Sequence, residues 1–310
     1  MADEEASGGE DGRVERLISW AASVVAPLSV LTAVLFYFGY VSSRARFEYF
    51  GVDVDTIGLS TQDYVMRSPQ ALLTPLLVLV LIGVAVAIAD DLFRRRVRAA
   101  AVASTDADES VAGRGRERLA ELDRLFGRLE LAGRCLIAAG TLLLFGYALL
   151  QDWTPYPLVT PLLMAIGAGL ALWSARIRGL IRSAAKPRVG VVLALSLVLV
   201  TGIFWMTATI AQWSGLGSAR QQALRLNELP TVIVDTRERL NSVSPTVKET
   251  ALPASEAQTF HYRYRGLHLL IQGKDRLFLV PGEWSPSDFT LMLPMDGSVR
   301  LQFQFENSPP

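Results

Sequence analysis

The sequence predicts an α-helical polytopic membrane protein with five transmembrane helices and a small C-terminal antiparallel β domain. Three observations carry this reading. Five apolar stretches with uncharged interiors approach or exceed the ~20 residues that cross a bilayer as a helix. Basic residues gather at alternate ends of those stretches, and from about Leu229 the pattern changes from blocks to alternation. Of the 310 residues, 51% are apolar and 19% charged, which separates the chain from ordinary soluble domains. The formal net charge of zero conceals a division, because the first twelve residues hold five acids and no base while arginines, 27 in all, cluster beside apolar blocks. The lone cysteine, Cys135, excludes an intramolecular disulfide.

Residues 1–12 (MADEEASGGEDG) are acidic, Gly-rich and without apolar period, and read as a disordered tail. An acidic start is the reverse of a secretory signal. The helical membrane domain then occupies residues 13–219. Its first span, 17–41, is uncharged, is kinked at Pro27, and is flanked by Trp20 at one end and Phe36, Tyr37, Phe38 and Tyr40 at the other. The loop 42–70 is too polar for lipid. Ser60 and Asp63 form a capping-box pattern that predicts a short helix from Thr61 to about Ser68, stopping before Pro69. Phe47, Tyr49 and Phe50 lie before it, either along the membrane surface or against neighbouring helices.

The second span, 71–93, runs into Arg94, Arg95, Arg96 and Arg98. Residues 114–130 form an amphipathic helix, with Leu119, Leu122, Phe126 and Leu129 on one stripe, and continue directly into the third span, 131–150, from which Arg134 snorkels. The Pro-rich turn QDWTPYP makes the third and fourth spans a hairpin. In the fourth, 156–175, the pairs Gly167/Ala171 and Ala165/Gly169 are small residues four apart that admit a close helix. Arg176, Arg178, Arg182, Lys186 and Arg188 follow, then the fifth span, 189–213.

Basic residues near span ends set the orientation. Nine arginines between Arg94 and Arg128 and five basic residues from Arg176 to Arg188 mark the cytoplasmic side, whereas the turn after span three has none. The N-terminus is therefore expected in the cytoplasm, and the loop 42–70 and the C-terminal domain outside the plasma membrane. Arg44, Arg46 and Arg67, in the outer loop, run against this count. Trp20, Trp153, Trp173 and Trp213 fall at span ends; Trp205 does not.

In the domain 220–310, Thr231–Thr236 and Thr259–Arg265 alternate as strands, with residues 241–257 loop-like between them. Leu267–Gln272 and Arg276–Val280 flank Gly273-Lys274-Asp275 as a hairpin whose three-residue loop pairs Ile271 with Leu277, Leu270 with Phe278 and Leu269 with Leu279. Both faces are apolar, so these are central strands. Phe289–Pro294 and Val299–Phe305 flank Asp296-Gly297, and hydrophobic matching favours a hairpin pairing Leu293 with Leu301, Leu291 with Phe303 and Phe289 with Phe305. Six strands in so few residues bury only about 60% of their unfolded surface. The domain is therefore expected to lean on the loop 42–70.

The stretch YFGYVSSRARFEYFGVDVDTIGLSTQDYVMRS after the first span, together with FHYRYRGLHLLIQGKDRLFLVP near the end, resembles uncharacterised actinobacterial membrane proteins of about this length. The likeness extends over most of the chain. It implies the polytopic architecture and no activity.

Chemistry-bearing motifs are sparse. His261 and His268 are seven apart, which places them on opposite faces of extended chain and argues against a shared metal. Asp53, Asp55 and Asp63 lack the spacing of a calcium loop. Neither nucleophile elbow, phosphate loop nor paired cysteines occur, so no catalytic, cofactor or metal residue is assigned and an enzyme is the weaker expectation. The span interiors carry no ionisable group of the kind coupled transporters use. A channel would then be an oligomeric pore lined by Thr and Ser. Arginines abutting apolar blocks are accounted for by topology and anionic lipid, not nucleic acid. The expected function is a non-enzymatic sensor, scaffold or interaction protein, partnered by the bilayer and by an envelope or membrane protein or further copies of itself. Phe47, Tyr49, Phe50, Asp63, Tyr64, Arg67, Tyr262 and Tyr264 form the candidate interaction surface. A channel or transporter subunit is the alternative, and a membrane enzyme the third.

Overall fold

The computed structural model describes residues 4–150, 152–182, 188–240, 244–253, 259–285 and 287–304, with only the backbone given for 4–24. Lys186, Phe305 and parts of the loop 241–257 lie outside these residues. The chain divides into two compact units, Met1–Ala71 with Ala211–Pro310, and Leu72–Ile210.

Seven helices are described: α1 Glu4–Glu48, α2 Val54–Ile57, α3 Thr61–Ser104, α4 Glu109–Phe145, α5 Tyr147–Leu150, α6 Tyr156–Arg182 and α7 Val189–Ala223. Four segments are long and apolar enough to cross a membrane: Val25–Glu48, Thr61–Ser104, Tyr156–Arg182 and Val189–Ala223. The expected span 131–150 is not among them. It is the continuation of the amphipathic segment 114–130 in one helix, α4, which stops at Phe145 where Gly146 caps it. The fifteen residues from Leu131 to Phe145 rise only ~22 Å, less than the ~30 Å hydrocarbon core, and Arg134 interrupts them. Residues 4–12, expected as an irregular tail, are helical in backbone as the start of α1.

The helix expected to stop before Pro69 instead continues through it, and Ser60 and Asp63 cap its start reciprocally, at 2.8 Å from Ser60 N and 3.2 Å from Asp63 N. Proline has no N–H, so Pro69 leaves the carbonyl of Val65 without its helical donor. The buried Ser68 hydroxyl donates to that carbonyl at 2.7 Å. Pro161 in α6 poses the same problem for the Pro157 carbonyl, which accepts from Thr209 Oγ1 of α7 at 3.1 Å. At Pro69 and Pro161 a hydroxyl thus supplies a donor to the carbonyl that proline leaves unbonded. Ser68→Ala is expected to cost about 1–3 kcal/mol, the penalty of an orphaned buried carbonyl, read as a lower unfolding midpoint of the detergent-solubilised chain.

In the unit Leu72–Ile210, α4 and α6 pack backbone to backbone. A Cβ on Gly133 would lie 2.7 Å from the Gly167 carbonyl oxygen, and one on Gly202 of α7 3.0 Å from the Ala165 Cβ. Gly167 and Ala171 therefore serve the α4 contact and Ala165 the α7 contact.

The other unit carries the sheet. Its strands are β1 Thr231–Thr236, β2 Lys248–Ala251, β3 Tyr262–Gln272, β4 Arg276–Pro281, β5 Leu291–Pro294 and β6 Val299–Gln304, in the antiparallel order β5-β4-β3-β1-β6, with β2 beside the start of β3. Three sequence expectations are corrected. Residues 248–251, read as loop, pair with β3. The two strands expected at 259–265 and 267–272 are one long strand bent at Gly266, whose φ is 87°. The last hairpin does not form: Leu291 and Leu293 pair with Leu279 and Leu277, whereas Leu301 and Phe303 pair with Val234 and Val232.

β5 and β6 thus occupy opposite edges although four residues join them. Pro294 aligns with one end of β3 and Val299 with the other. On a flat sheet roughly 38 Å would separate them, given ~4.8 Å between strands and ~3.3 Å per residue. Five Cα steps reach at most ~19 Å. The sheet must therefore curl, and two bulges in β3, at Gly266 and at Leu270, supply the bend. The second bulge also moves the β3–β4 register near the turn, so that Ile271 faces Phe278 and Gln272 faces Leu277, while Leu269 opposite Leu279 is as expected.

Curling gives the sheet an inner core of Val232, Val234, Tyr264, Leu267, Leu277, Leu279 and Leu293. Alternation along β4 sends Phe278 and Val280 to the outer face, joined by Leu270 and Ile271 because the bulge turns these consecutive residues the same way.

Candidate functional site

That outer face is covered by the segment between α1 and α3. Phe47, Phe50, Val52, Val54 and Ile57 are buried against Leu270, Ile271, Phe278 and Val280. α2 exists to present Val54 and Ile57: Asp53 caps it by accepting from Asp55 N at 3.2 Å, and Gly58 ends it at φ 73°. Phe50, fully buried, meets the Trp284 ring edge-on at 5.1 Å. Hydrogen bonds to backbone carbonyls complete the joint, with Thr290 Oγ1 donating to that of Phe50 at 2.5 Å and Lys274 N to that of Ile57 at 3.3 Å. Gly273 sits so close to the Ile57 carbonyl that a Cβ would collide with it. The packing expected between the first loop and the β domain is present.

The candidate interaction surface is consequently corrected. Phe47, Phe50, Tyr64 and Tyr264 are core residues, between 0% and 5% exposed. An apolar sheet face needed covering, and the loop aromatics cover it. Tyr64 stacks edge-on with Phe36 and Tyr40, at 5.4 and 5.5 Å, where α3 touches α1 at Gly39. Tyr264 lies in the inner core; its hydroxyl accepts from Leu240 N at 2.8 Å and donates to Glu249 at 3.2 Å. Burial pushes its pKa up. Tyr49, Arg67 and Tyr262 are half-buried and Asp63 is exposed as a cap.

Sequence reasoning missed the centre of charge in this unit. Asp235 is 1% exposed on β1, directly opposite Arg263 of β3 and Arg300 of β6. Arg263 grips both carboxylate oxygens at 2.8 and 3.0 Å, and Arg300 reaches Oδ2 at 2.6 Å. The Arg263 bonds, reinforced by Arg300, hold its pKa below the ordinary carboxylate range. Only knowledge that β1 lies between β3 and β6 could have revealed the triad.

In the other unit, several presumed topology anchors have acidic partners. Arg178 reaches Asp123 at 3.3 Å and Glu130 at 2.5 Å, and Arg182 takes Asp123 at 2.6 Å. Asp123 and Glu130 are seven apart on α4, two turns on one face. Arg94 pairs with Asp90 at 2.6 Å and Arg95 with Asp91 at 2.7 Å. Asp90 also accepts from Trp173 at 3.2 Å, and Trp173 joins Phe93 and Phe126 in mutual edge-on contacts. This end of the helices is a lock of aromatic rings and ion pairs as well as a basic marker. Arg96 lies over the Phe93 ring, and Arg98, Arg176 and Arg188 are exposed.

The carboxylates considered for calcium have separate tasks, Asp53 on α2, Asp55 accepting from Tyr40 at 3.2 Å and Asp63 on Ser60. His261 and His268 each lie beside a backbone carbonyl, of Arg237 and Leu229. Among the described residues no group of three or more His, Cys, Asp or Glu could hold a metal ion. No protein-family model matches the chain, and neither a curated protein nor a solved structure is similar to it.

Proposed function

We propose that the chain is a non-enzymatic interaction protein of the plasma membrane, whose sheet engages a partner outside the membrane and transmits that engagement to the helices. The proposed topology keeps five spans, the third being 131–150, in which α5 follows the end of α4 and brings the apolar stretch to 20 residues, with the N-terminus cytoplasmic and the sheet outside. The basic residues at alternate span ends support it. One observation carries the functional reading: the segment joining α1 to α3 is part of the sheet's core, so a displacement of the sheet acts on the ends of two helices. The surface offered to a partner is the β5 edge, where Phe289, Met292 and Met295 are 44–48% exposed beside a strand edge that is unpaired among the described residues. Strand edges of this kind recruit partners.

A Thr- and Ser-lined pore is less well supported, because Thr207 and Thr209 are buried with their hydroxyls bonded to backbone carbonyls. The test has two arms. The purified chain in liposomes is expected to pass neither ions nor small solutes. A photo-crosslinker at Met292 is expected to yield one discrete adduct in cells, lost when Met295→Asp is added. Flux from the pure protein, or no adduct from Met292, would overturn the reading.

A further inference from the structure

We propose that Arg46 and Arg67, assisted by Gln222, form a binding site for a phosphate group at the end of the spans. Arg44, Arg225, Arg239, Arg263 and Arg300 of this unit each have a carboxylate partner. Among the described residues the exposed Arg220, Arg237 and Arg265 have none, and neither do Arg46 and Arg67. Both are nevertheless half-buried, and their guanidinium carbons each lie 5.9 Å from the centroid of the same ring, Phe47. Twice that distance bounds their separation. Two cations sharing one aromatic ring repel each other, and the ring attracts each only weakly at such a site.

Local structure compensates one of them. Arg46 is in the last turn of α1, where the helix dipole favours a cation, and its Nε and Nη2 donate to Gln222 Oε1 at 3.0 and 2.6 Å. Arg67 is near the start of α3, the end that favours an anion. The acid beside it, Asp63, is held at Ser60 by bonds of 2.8 and 2.7 Å and attracts Arg67 without pairing with it. Glu48 is taken by Arg44 at 2.6 Å. Neither guanidinium is thus ion-paired, and among the described residues the Arg67 fork is free for an oxyanion, to which Arg46, its Nε and Nη2 on Gln222, adds its remaining donors.

Position narrows the anion. Arg46 follows the uncharged run of α1, Arg67 precedes that of α3, and Gln222 follows that of α7. These are headgroup depths, where arginine meets lipid phosphate. It also explains why basic residues persist on the side the topology makes poor in them. The membrane reading bears only on the source of the phosphate, lipid or free.

The test uses the full chain in neutral detergent and follows its thermal unfolding midpoint. The probes are dihexanoyl phosphatidylglycerol, dihexanoylglycerol without phosphate, inorganic phosphate, and chloride at matched ionic strength. A saturable rise with a phosphate-bearing probe, absent with dihexanoylglycerol and chloride, is expected. Arg46→Gln or Arg67→Gln should raise the half-saturating concentration tenfold or more, since charge-assisted bonds of this kind exceed the ~1.4 kcal/mol that a factor of ten represents. Arg67→Met, which keeps the stem over Phe47, replaces any Gln variant that does not fold. Saturation by phosphatidylglycerol alone assigns the site to a lipid headgroup. Equal saturation by inorganic phosphate assigns it to a free anion and removes support for the membrane placement of this end, leaving the site intact. No saturable shift, or half-saturation unchanged in the Arg46 and Arg67 variants, would overturn the proposal.

Discussion

Asp235→Ala should destabilise the sheet unit more than any other single charge change, toward the lower end of the ~3–5 kcal/mol that follows removal of one partner from a buried ion pair. The carboxylate is 1% exposed, and its loss strands Arg263, 24% exposed, beside β1. Arg300, 51% exposed, can turn to water and lose less. Chemical denaturation of the full chain in detergent, followed by near-ultraviolet circular dichroism, measures the effect. Asp235→Asn retains an acceptor and should cost less. Arg300→Ala should cost less still, because Arg263 continues to neutralise the acid.

The same triad sets an acid sensitivity. Asp235 has a folded pKa below its unfolded one, held there first by the Arg263 hydrogen bonds. A depressed carboxylate contributes stability that is fully present above the unfolded value, ~3.9, and is lost as pH falls through the folded value. The wild type should therefore lose stability below about pH 4 more steeply than Asp235→Asn. Parallel acid profiles would show that the carboxylate is not held by its arginines.

Phe50→Ala is the second large effect, about 3–5 kcal/mol for a fully buried phenylalanine. The ring fills the joint between the first loop and the outer face of the sheet, against Trp284. Its loss should release residues 49–60 to limited proteolysis while the inner core around Val232, Leu277 and Leu279 persists. If the loop remained protected at unchanged stability, the joint would not depend on Phe50. Phe303, 52% exposed, is the control, and Phe303→Ala should be nearly silent.

Much of this architecture is legible in the chain because it rests on local pattern. Long uncharged runs announce α1, α3, α6 and α7, alternation announces β1 and the first part of β3, and the apolar character of both faces of β4 correctly places it inside the sheet. What was illegible depends on neighbours distant in sequence. Asp296-Gly297 looks like a hairpin turn, yet the curl sends β5 to Leu277 and Leu279 and β6 to Val232 and Val234. Pro69 looks like a helix stop, yet Ser68 relieves it. Phe47 and Phe50 look like a surface because the face that buries them lies more than 200 residues later. Arg178 and Arg182 look like free anchors because Asp123 and Glu130 stand on another helix.

The claim on which the rest depends is that the first loop and the sheet are one body on the outer side of the membrane. A Cβ built on Gly58 would lie 3.7 Å from the Lys274 Cβ, close to the ~3.8 Å separation in disulfides. Gly58→Cys with Lys274→Cys, in a chain carrying Cys135→Ser, tests both halves at once, despite some strain from the positive φ at residue 58. The account predicts that the pair oxidises in cells without added oxidant, as an extracytoplasmic pair does, and that a maleimide mass tag adds only after reduction. Two thiols that stay reduced in cells but couple on mild oxidation of the purified protein would contradict the outer placement. Thiols that never couple would contradict the joint itself.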